Sequence, residues 1–339
     1  MNTDARTLTS VSPSSAVAVP PAVLRIKRLG RPGALALRSE FRWEVRAVFR
    51  RSFYCRSRGG SFICVGSMSL GCGPLNVLCH IPEPIDWEVA GLTPGAVATC
   101  NGRLLCVAER YAFSLADAEV WRPAMLTTPW QPATITTGLV ALAREACTRP
   151  ARGGLQSLIP ILAEHEAAFP RGACEVSPLI RLARVGIEPL ADWLEGSLAR
   201  PAEPIPVPTS AIDALIGLGP GLTPSGDDFL GGVLLALQWL GALGPGGRLA
   251  AEVLSRAERG TNEISRAHLA AAAGGEGLAP LHAILSVLCT PGAPGMDECL
   301  TAIDAIGHTS GWDALAGVCL AAAVMARVRS VRRATAIPA

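Results

Sequence analysis

Lysine is all but missing from this 339-residue chain: Lys27 is the only one, although Lys and Arg together number 30. Charge of either sign is sparse, at 17% of residues against 50% hydrophobic, and mean hydropathy is +0.35. That balance excludes a disordered chain and argues against a nucleic-acid-coating protein. A basic bias does exist in the first sixty residues (Arg25, Lys27, Arg28, Arg31, Arg38, Arg42, Arg46, Arg50, Arg51, Arg56 and Arg58), but it lacks the interleaved aromatics of a nucleic-acid surface. No Cys-x-x-Cys occurs among the eleven cysteines, so neither a zinc ribbon nor a thioredoxin-type pair is indicated. Reduced, mostly buried thiols and a cytoplasmic location are expected.

No basic stretch followed by an apolar core opens the chain, so residues 1–22 are expected to be a disordered tail rather than a signal peptide. The apolar stretch Phe229 to Leu243 is short for a membrane span and contains Gln238, so no membrane partner is expected. There is no Walker A loop and no Rossmann fingerprint, which removes the sequence grounds for ATP or NAD.

What is present divides in two. From residue 23 to 132, short apolar runs (Ser61 to Val65, Leu75 to Cys79, Ala96 to Thr99, Leu104 to Val107) alternate with turn residues. Asn101-Gly102 marks a hairpin, because both residues tolerate positive φ. From 133 to 339 the period becomes helical, with helices expected over Thr137 to Cys147, Leu155 to Ala168, Pro178 to Arg184, Leu190 to Leu198 and Ile212 to Gly217. Six more are expected beyond residue 226. The fold class expected is α+β: a β-rich N-terminal domain followed by a larger all-α domain.

Within the helical part a motif recurs. Gly217-Leu-Gly-Pro-Gly-Leu-Thr-Pro-Ser-Gly-Asp-Asp-Phe-Leu-Gly-Gly232 is echoed by Gly307-His-Thr-Ser-Gly-Trp-Asp-Ala-Leu-Ala-Gly317. Aligning Ser225 with Ser310 also matches Gly226 with Gly311, Asp228 with Asp313, Leu230 with Leu315, Gly232 with Gly317 and Val233 with Val318. Each copy reads as a glycine-rich turn feeding a buried helix. The N–H groups at such a helix start, carrying about half a positive charge, suit a small anion. A capping box with Ser225 as N-cap explains Ser225, Gly226, Asp227 and Asp228 without any ligand; ligand contact would add a reason for Gly219, Gly221 and Thr223. The same choice applies to Thr309, Ser310, Gly311 and Asp313. Between the copies, Thr261 or Asn262 can cap a helix on which Ser265 and His268 share a face. Asp228 and His308 are the candidates for proton transfer. No cofactor is firmly implied; Asp227, Asp228 and Asp313 would suit Mg²⁺. The loop Gly66 to Asn76 reads as an ordinary bulged turn that could also close over the helical site.

These motifs, with Thr261-Asn262-Glu263-Ile264-Ser265, resemble a bacterial family long listed as a domain of unknown function. That family includes a subunit of the oxamate carbamoyltransferase of anaerobic allantoin degradation. The resemblance covers about residues 40 to 330. It implies carbamoyl transfer between phosphate and oxamate, giving oxalurate and phosphate or the reverse, within a hetero-oligomer that includes an acyl-CoA synthetase-like subunit. The residues would then divide the work: Gly226 and Asp227 N–H groups with Thr223 and Ser225 on phosphate, and Gly311 and Trp312 N–H groups with Thr309 and Ser310 on the oxamate carboxylate. A non-catalytic assembly partner of such a synthetase-like enzyme is the alternative.

Overall fold

A computed structural model of the chain describes residues 23–81, 85–123, 129–164, 177–290 and 295–335. The tail expected over 1–22 lies outside them. Among the described residues, the N-terminal region holds nine strands and one α-helix: β1 (Val23–Gly30), α1 (Arg31–Ser39), β2 (Arg42–Val48), β3 (Ser52–Ser57), β4 (Phe62–Ser67), β5 (Asn76–His80), β6 (Val97–Cys100), β7 (Leu104–Val107), β8 (Tyr111–Ser114) and β9 (Glu119–Trp121). The strands run in the order β5-β4-β3-β2-β6-β7-β8-β1-β9, and β1 also pairs antiparallel with β5, which closes the sheet into a barrel. Closure leaves fewer open edges to pair with other chains. Strand β3 shows how the barrel fills: Phe53, Cys55 and Ser57 point in and are buried. Phe53 stacks edge-on against Trp87 at 4.9 Å, and Phe113 lies 6.1 Å away. The Asn101-Gly102 turn joins β6 to β7 with Gly102 at φ +80°, as the hairpin signal required. Helix α1 was not among the elements expected in this strand-rich region. Pro32 sits in the first turn of this helix, whose Ala34, Ala36 and Leu37 join the barrel core.

The helical region follows: α2 (Pro132–Thr148), α3 (Ile159–Glu164), α4 (Pro178–Ala199), α5 (Thr209–Leu215), α6 (Ser225–Trp239), α7 (Leu243–Gly260), α8 (Glu263–Ala273), α9 (Ala279–Cys289), α10 (Met296–Asp304) and α11 (Ser310–Thr335). The two helices expected over 178–198 are one. Pro189 is accommodated inside α4; the carbonyl it leaves unbonded is that of Val185, a residue on the solvent face with 63% exposure. Helix α11 is long and apolar enough to cross a membrane, but 78% of its apolar window is buried inside the protein. It is the central core helix, packed along α6 and flanked by α2, α3 and α4.

The crossing of α6 and α11 explains the repeated glycines. A Cβ on Gly232 would sit 1.9 Å from the Ala314 carbonyl oxygen, and one on Gly317 would sit 2.0 Å from that of Phe229. The alignment that pairs Gly232 with Gly317 also pairs Phe229 with Ala314. The two motif copies therefore pack against each other through equivalent contacts, around a local pseudo-two-fold axis. The helical region meets the barrel along α8: Phe62, Leu75 and Ile264 form a small apolar cluster, and Glu263 accepts from Arg46 at 2.6 Å with Arg56 at 3.4 Å.

Candidate functional site

The first turn is held by Asp227. Its Oδ1 accepts the Gly217 N–H at 2.8 Å, and its Oδ2 accepts from the hydroxyls of Thr261 and, at 2.6 Å, Ser265. Asp227 is thus a buried clasp between the turn and α8. Asn262 completes it: its side chain caps α8 by accepting from Ile264 and Ser265 N–H, both at 3.0 Å, and donates to the Leu222 carbonyl at 2.8 Å. Gly217, Gly219 and Gly221 have φ of +72°, +109° and +99°, so the turn's own conformation accounts for their alternation. Asp227→Asn should destabilise the fold by about 2 kcal/mol, since it turns a triple acceptor into a group with one acceptor. Urea denaturation of the two chains checks this; equal midpoints would mean the clasp contributes nothing.

Two expectations about the helix starts need correcting. Pro224, not Ser225, is the N-cap of α6, and no side chain caps that end; Ser225 is the first helical residue and is buried. Of the four N–H groups expected to hold an anion (Gly226, Asp227, Gly311 and Trp312), the first three already have backbone acceptors. Gly226 N–H donates to the Leu218 carbonyl at 2.9 Å, Asp227 and Asp228 N–H to that of Pro224 at 2.9 and 3.0 Å, and Gly311 N–H to that of Ile306 at 3.3 Å. A tight loop that folds back over a helix start uses the donors that a looser loop would leave open.

The side chains are arranged differently. Thr223 Oγ1 and Ser310 Oγ are 2.9 Å apart, so a hydroxyl from each copy meets at the axis. The acids cross over: Asp228 of the first copy faces Ser310 of the second, and Asp313 of the second faces Ser225 of the first. Burial raises the Asp228 carboxyl well above the ordinary carboxylate range; the nearby Asp313 adds to this, while the Ser310 and Thr223 hydroxyls oppose it. Burial raises Asp313 too, against the Leu155 N–H, which donates to its Oδ1 at 2.6 Å, and the Thr309 and Ser225 hydroxyls. The Oδ2 atoms of Asp228 and Asp313 are buried without a hydrogen-bond partner.

Asp228 opens onto a cavity of about 70 Å³ between α6, α8 and the α8–α9 connection, also lined by Asp227, Ser265, His268, Glu276, Ser310, Pro74 and a wall of leucines. Water occupies about 30 Å³ in the liquid, so the space suits a few heavy atoms. Burial lowers the His268 imidazole to about 4, which keeps it neutral at pH 7, and its Nε2 lies 3.2 Å from the Tyr54 hydroxyl on β3. Glu276 is buried, pairs with Arg31 and leaves its Oε2 without a partner. Three carboxyl groups line the cavity and, among the described residues, no Lys or Arg does. The loop 66–76, expected as an ordinary turn, borders the site through Pro74, and its Cys72 carbonyl accepts the Ala279 N–H at 2.9 Å.

Of the expected residues, Asp227, Asp228, Ser265 and Ser310 line the cavity, with Thr223 hydrogen-bonded to Ser310 behind them. Gly219, Gly221, Thr261 and Asn262 shape the turn and its clasp. Ser225, Thr309 and Asp313 gather on the opposite side of the pseudo-axis, next to Leu155. His308 is exposed and does not line the cavity; its placement gives it no part in proton transfer there. The imidazole in that position is His268, noted in the sequence only for sharing a face with Ser265. Glu276 and Tyr54 carried no signal at all. Among the described residues no group of three or more His, Cys, Asp or Glu could hold a metal ion, and Asp227 already uses both its oxygens. The ten described cysteines are all free, six of them buried.

These observations meet a comparison with known families. Residues 215–322 match the family described as oxamate carbamoyltransferase subunit AllH. The AllH match runs from the end of α5 into the middle of α11. It therefore contains both glycine-rich turns, the crossing of Gly232 and Gly317, and every cavity residue except Pro74. No solved structure matches the chain.

Proposed function

We propose that the chain is a subunit of a carbamoyltransferase acting on oxamate or a close relative, and that the Asp228 cavity receives the uncharged carbamoyl or amide end of the substrate. The match over residues 215–322 supports the transferase subunit. The observation that carries the assignment of the cavity is Asp228 itself: a half-buried carboxyl with raised proton affinity and an unpartnered Oδ2, at the mouth of a small hole where two motif copies meet.

The chemistry follows from those groups. In the forward direction the amide nitrogen of oxamate attacks the carbonyl carbon of carbamoyl phosphate, the C–N bond forms, the C–O bond to phosphate breaks, and the nitrogen loses a proton. A protonated Asp228 donates a hydrogen bond to the carbonyl oxygen as negative charge builds there. His268, neutral and set by Tyr54, accepts the proton from nitrogen. Ser310, Thr223 and Ser265 orient the amide. An acid-lined cavity disfavours phosphate and carboxylate, so the charged ends lie outside it, where a partner subunit contributes the cations. An acyl-CoA synthetase-like chain is the partner the resemblance implies.

The same lack of cations favours a second reading, in which the chain assembles with the synthetase-like enzyme without doing chemistry. Assay of the copurified complex with carbamoyl phosphate and oxamate decides between them. The first reading expects oxalurate and phosphate in equal amounts, and a loss of turnover on His268→Gln with the assembly intact. Full turnover in that variant assigns the chain to assembly. A melting panel on the isolated chain with oxamate, oxalurate and carbamoyl phosphate, with and without Mg²⁺, adds the binding test: at about 100 times Kd a ligand stabilises by roughly 2.7 kcal/mol.

A further inference from the structure

At the far end of α11, roughly 28 Å along the helix from Ser310, lies a groove of about 620 Å³ that the transferase reading does not use. Its floor is apolar: Leu198, Leu240, Met325 and Val328. Four arginines line it (Arg248, Arg329, Arg332 and Arg333), and among the described residues no Asp or Glu does.

Of these arginines, Arg248 is the one the fold does not account for, whereas Arg333 donates to Gln131 Oε1. Arg332 and Arg333 sit in the last turn of α11, where the helix dipole favours a cation. Arg248 has no such reason: it lies in the second turn of α7, far from that helix's negative end, and the helix has no acid in its first turn and no side-chain cap. Its Nε and Nη2 are buried without a hydrogen-bond partner. Arg329 lies 4.3 Å over the Trp130 ring, which fixes its guanidinium at the wall, while the Trp130 indole N–H donates to the Leu240 carbonyl at 3.0 Å. Leaving buried guanidinium donors unpaired costs free energy that an anion would recover.

We propose that this groove binds a soluble phosphate monoester with an apolar body. Arginine forks hold a phosphate through paired N–H donors, and a groove of this volume takes a ligand well beyond the size of phosphate alone. The phosphate sits on Arg248 with Arg329 and Arg332 around it, and the body lies on Leu240 and Met325. The proposal is independent of the carbamoyl chemistry at Asp228.

Calorimetric titration of the full chain with phenyl phosphate and with inorganic phosphate tests it. Phenyl phosphate should bind at least about tenfold more tightly than inorganic phosphate, because only it fills the apolar floor. Arg248→Met should weaken it about tenfold or more, and the exposed Arg332→Gln about threefold, with melting of the second variant unchanged. Equal affinity for the two phosphates, or binding that neither variant weakens, overturns the site. Cosedimentation with phosphatidic acid vesicles that phenyl phosphate fails to displace would assign the arginines to a lipid surface and overturn the soluble ligand.

Discussion

Gly232→Ala should destabilise the protein by about 3 kcal/mol or more, whereas Gly231→Ala, one residue earlier on the same helix, should leave it unchanged or slightly stabilised. The contrast follows from what each added methyl meets. At Gly232 it would meet the Ala314 carbonyl oxygen at 1.9 Å and the Val318 nitrogen at 3.1 Å, both backbone atoms of α11 that cannot swing aside. At Gly231 the nearest atom is the Ala272 Cβ at 3.8 Å, an ordinary contact, and alanine is the better helix former by about 1 kcal/mol. Gly317→Ala should behave like Gly232→Ala, because its methyl meets the Phe229 carbonyl oxygen at 2.0 Å. In a melting experiment on a region of this size the penalty corresponds to a fall of about 10 °C. The double variant should cost less than the sum of the singles, since separating α6 from α11 once relieves both clashes. A Gly232→Ala chain that melts with the parent would mean the helices do not cross at these residues, and the pseudo-two-fold arrangement would fall with it.

That crossing shows how far the sequence could be read. The two motif copies were visible as matching letters, and the α+β division was visible in the change from alternating to helical period. What the letters could not give is which copy's acid meets which copy's serine: the exchange of Asp228 with Ser310 and Asp313 with Ser225 exists only once Gly232 and Gly317 bring the helices together. The capping interpretation failed for a local reason. Ser-Gly-Asp-Asp has the composition of a capping box, but Pro224 takes the cap position and Ser225 moves one place into the helix, where its hydroxyl faces Asp313. The Gly226 and Asp227 donors expected to cradle an anion are instead taken by the Leu218 and Pro224 carbonyls, because the loop folds back over the helix start. Tyr54 and Glu276 were illegible because tertiary docking alone brings them in, one from a barrel strand and one from a connection whose only mark is Gly-Gly-Glu-Gly. His308 was chosen over His268 on nearness to the motif in sequence, which says nothing about which face of α8 packs on the barrel.

Asp228→Asn should cut turnover in the assembled complex by a large factor and at the same time make the isolated chain more stable at neutral pH. A residue that serves only the fold would not give that pair of results. Asparagine keeps the shape, but its amide N–H is a weaker donor than a carboxylic O–H to the charge that builds on the carbonyl oxygen, and weakening a positioned donor there costs up to about a hundredfold to a thousandfold in rate. The stability effect has the opposite sign. Because the folded protein holds the Asp228 proton more tightly than the unfolded chain does, the unfolded state binds fewer protons between the ordinary carboxylate range and the raised folded value. The parent's stability is therefore fully present below that range and falls as pH rises through it, levelling off only once pH passes the raised folded value. Asparagine has no proton to lose, so the gap between variant and parent should open as pH climbs and then stay constant. Asp313, shifted in the same direction, remains in both chains and leaves a smaller slope in the variant. Chemical denaturation between pH 4 and pH 8, read beside turnover, separates the possibilities. Loss of activity with a widening stability gain places the proton of Asp228 in the chemistry. A variant that is destabilised at every pH makes Asp228 a structural acceptor, and the carbamoyl end of the substrate must then bind elsewhere.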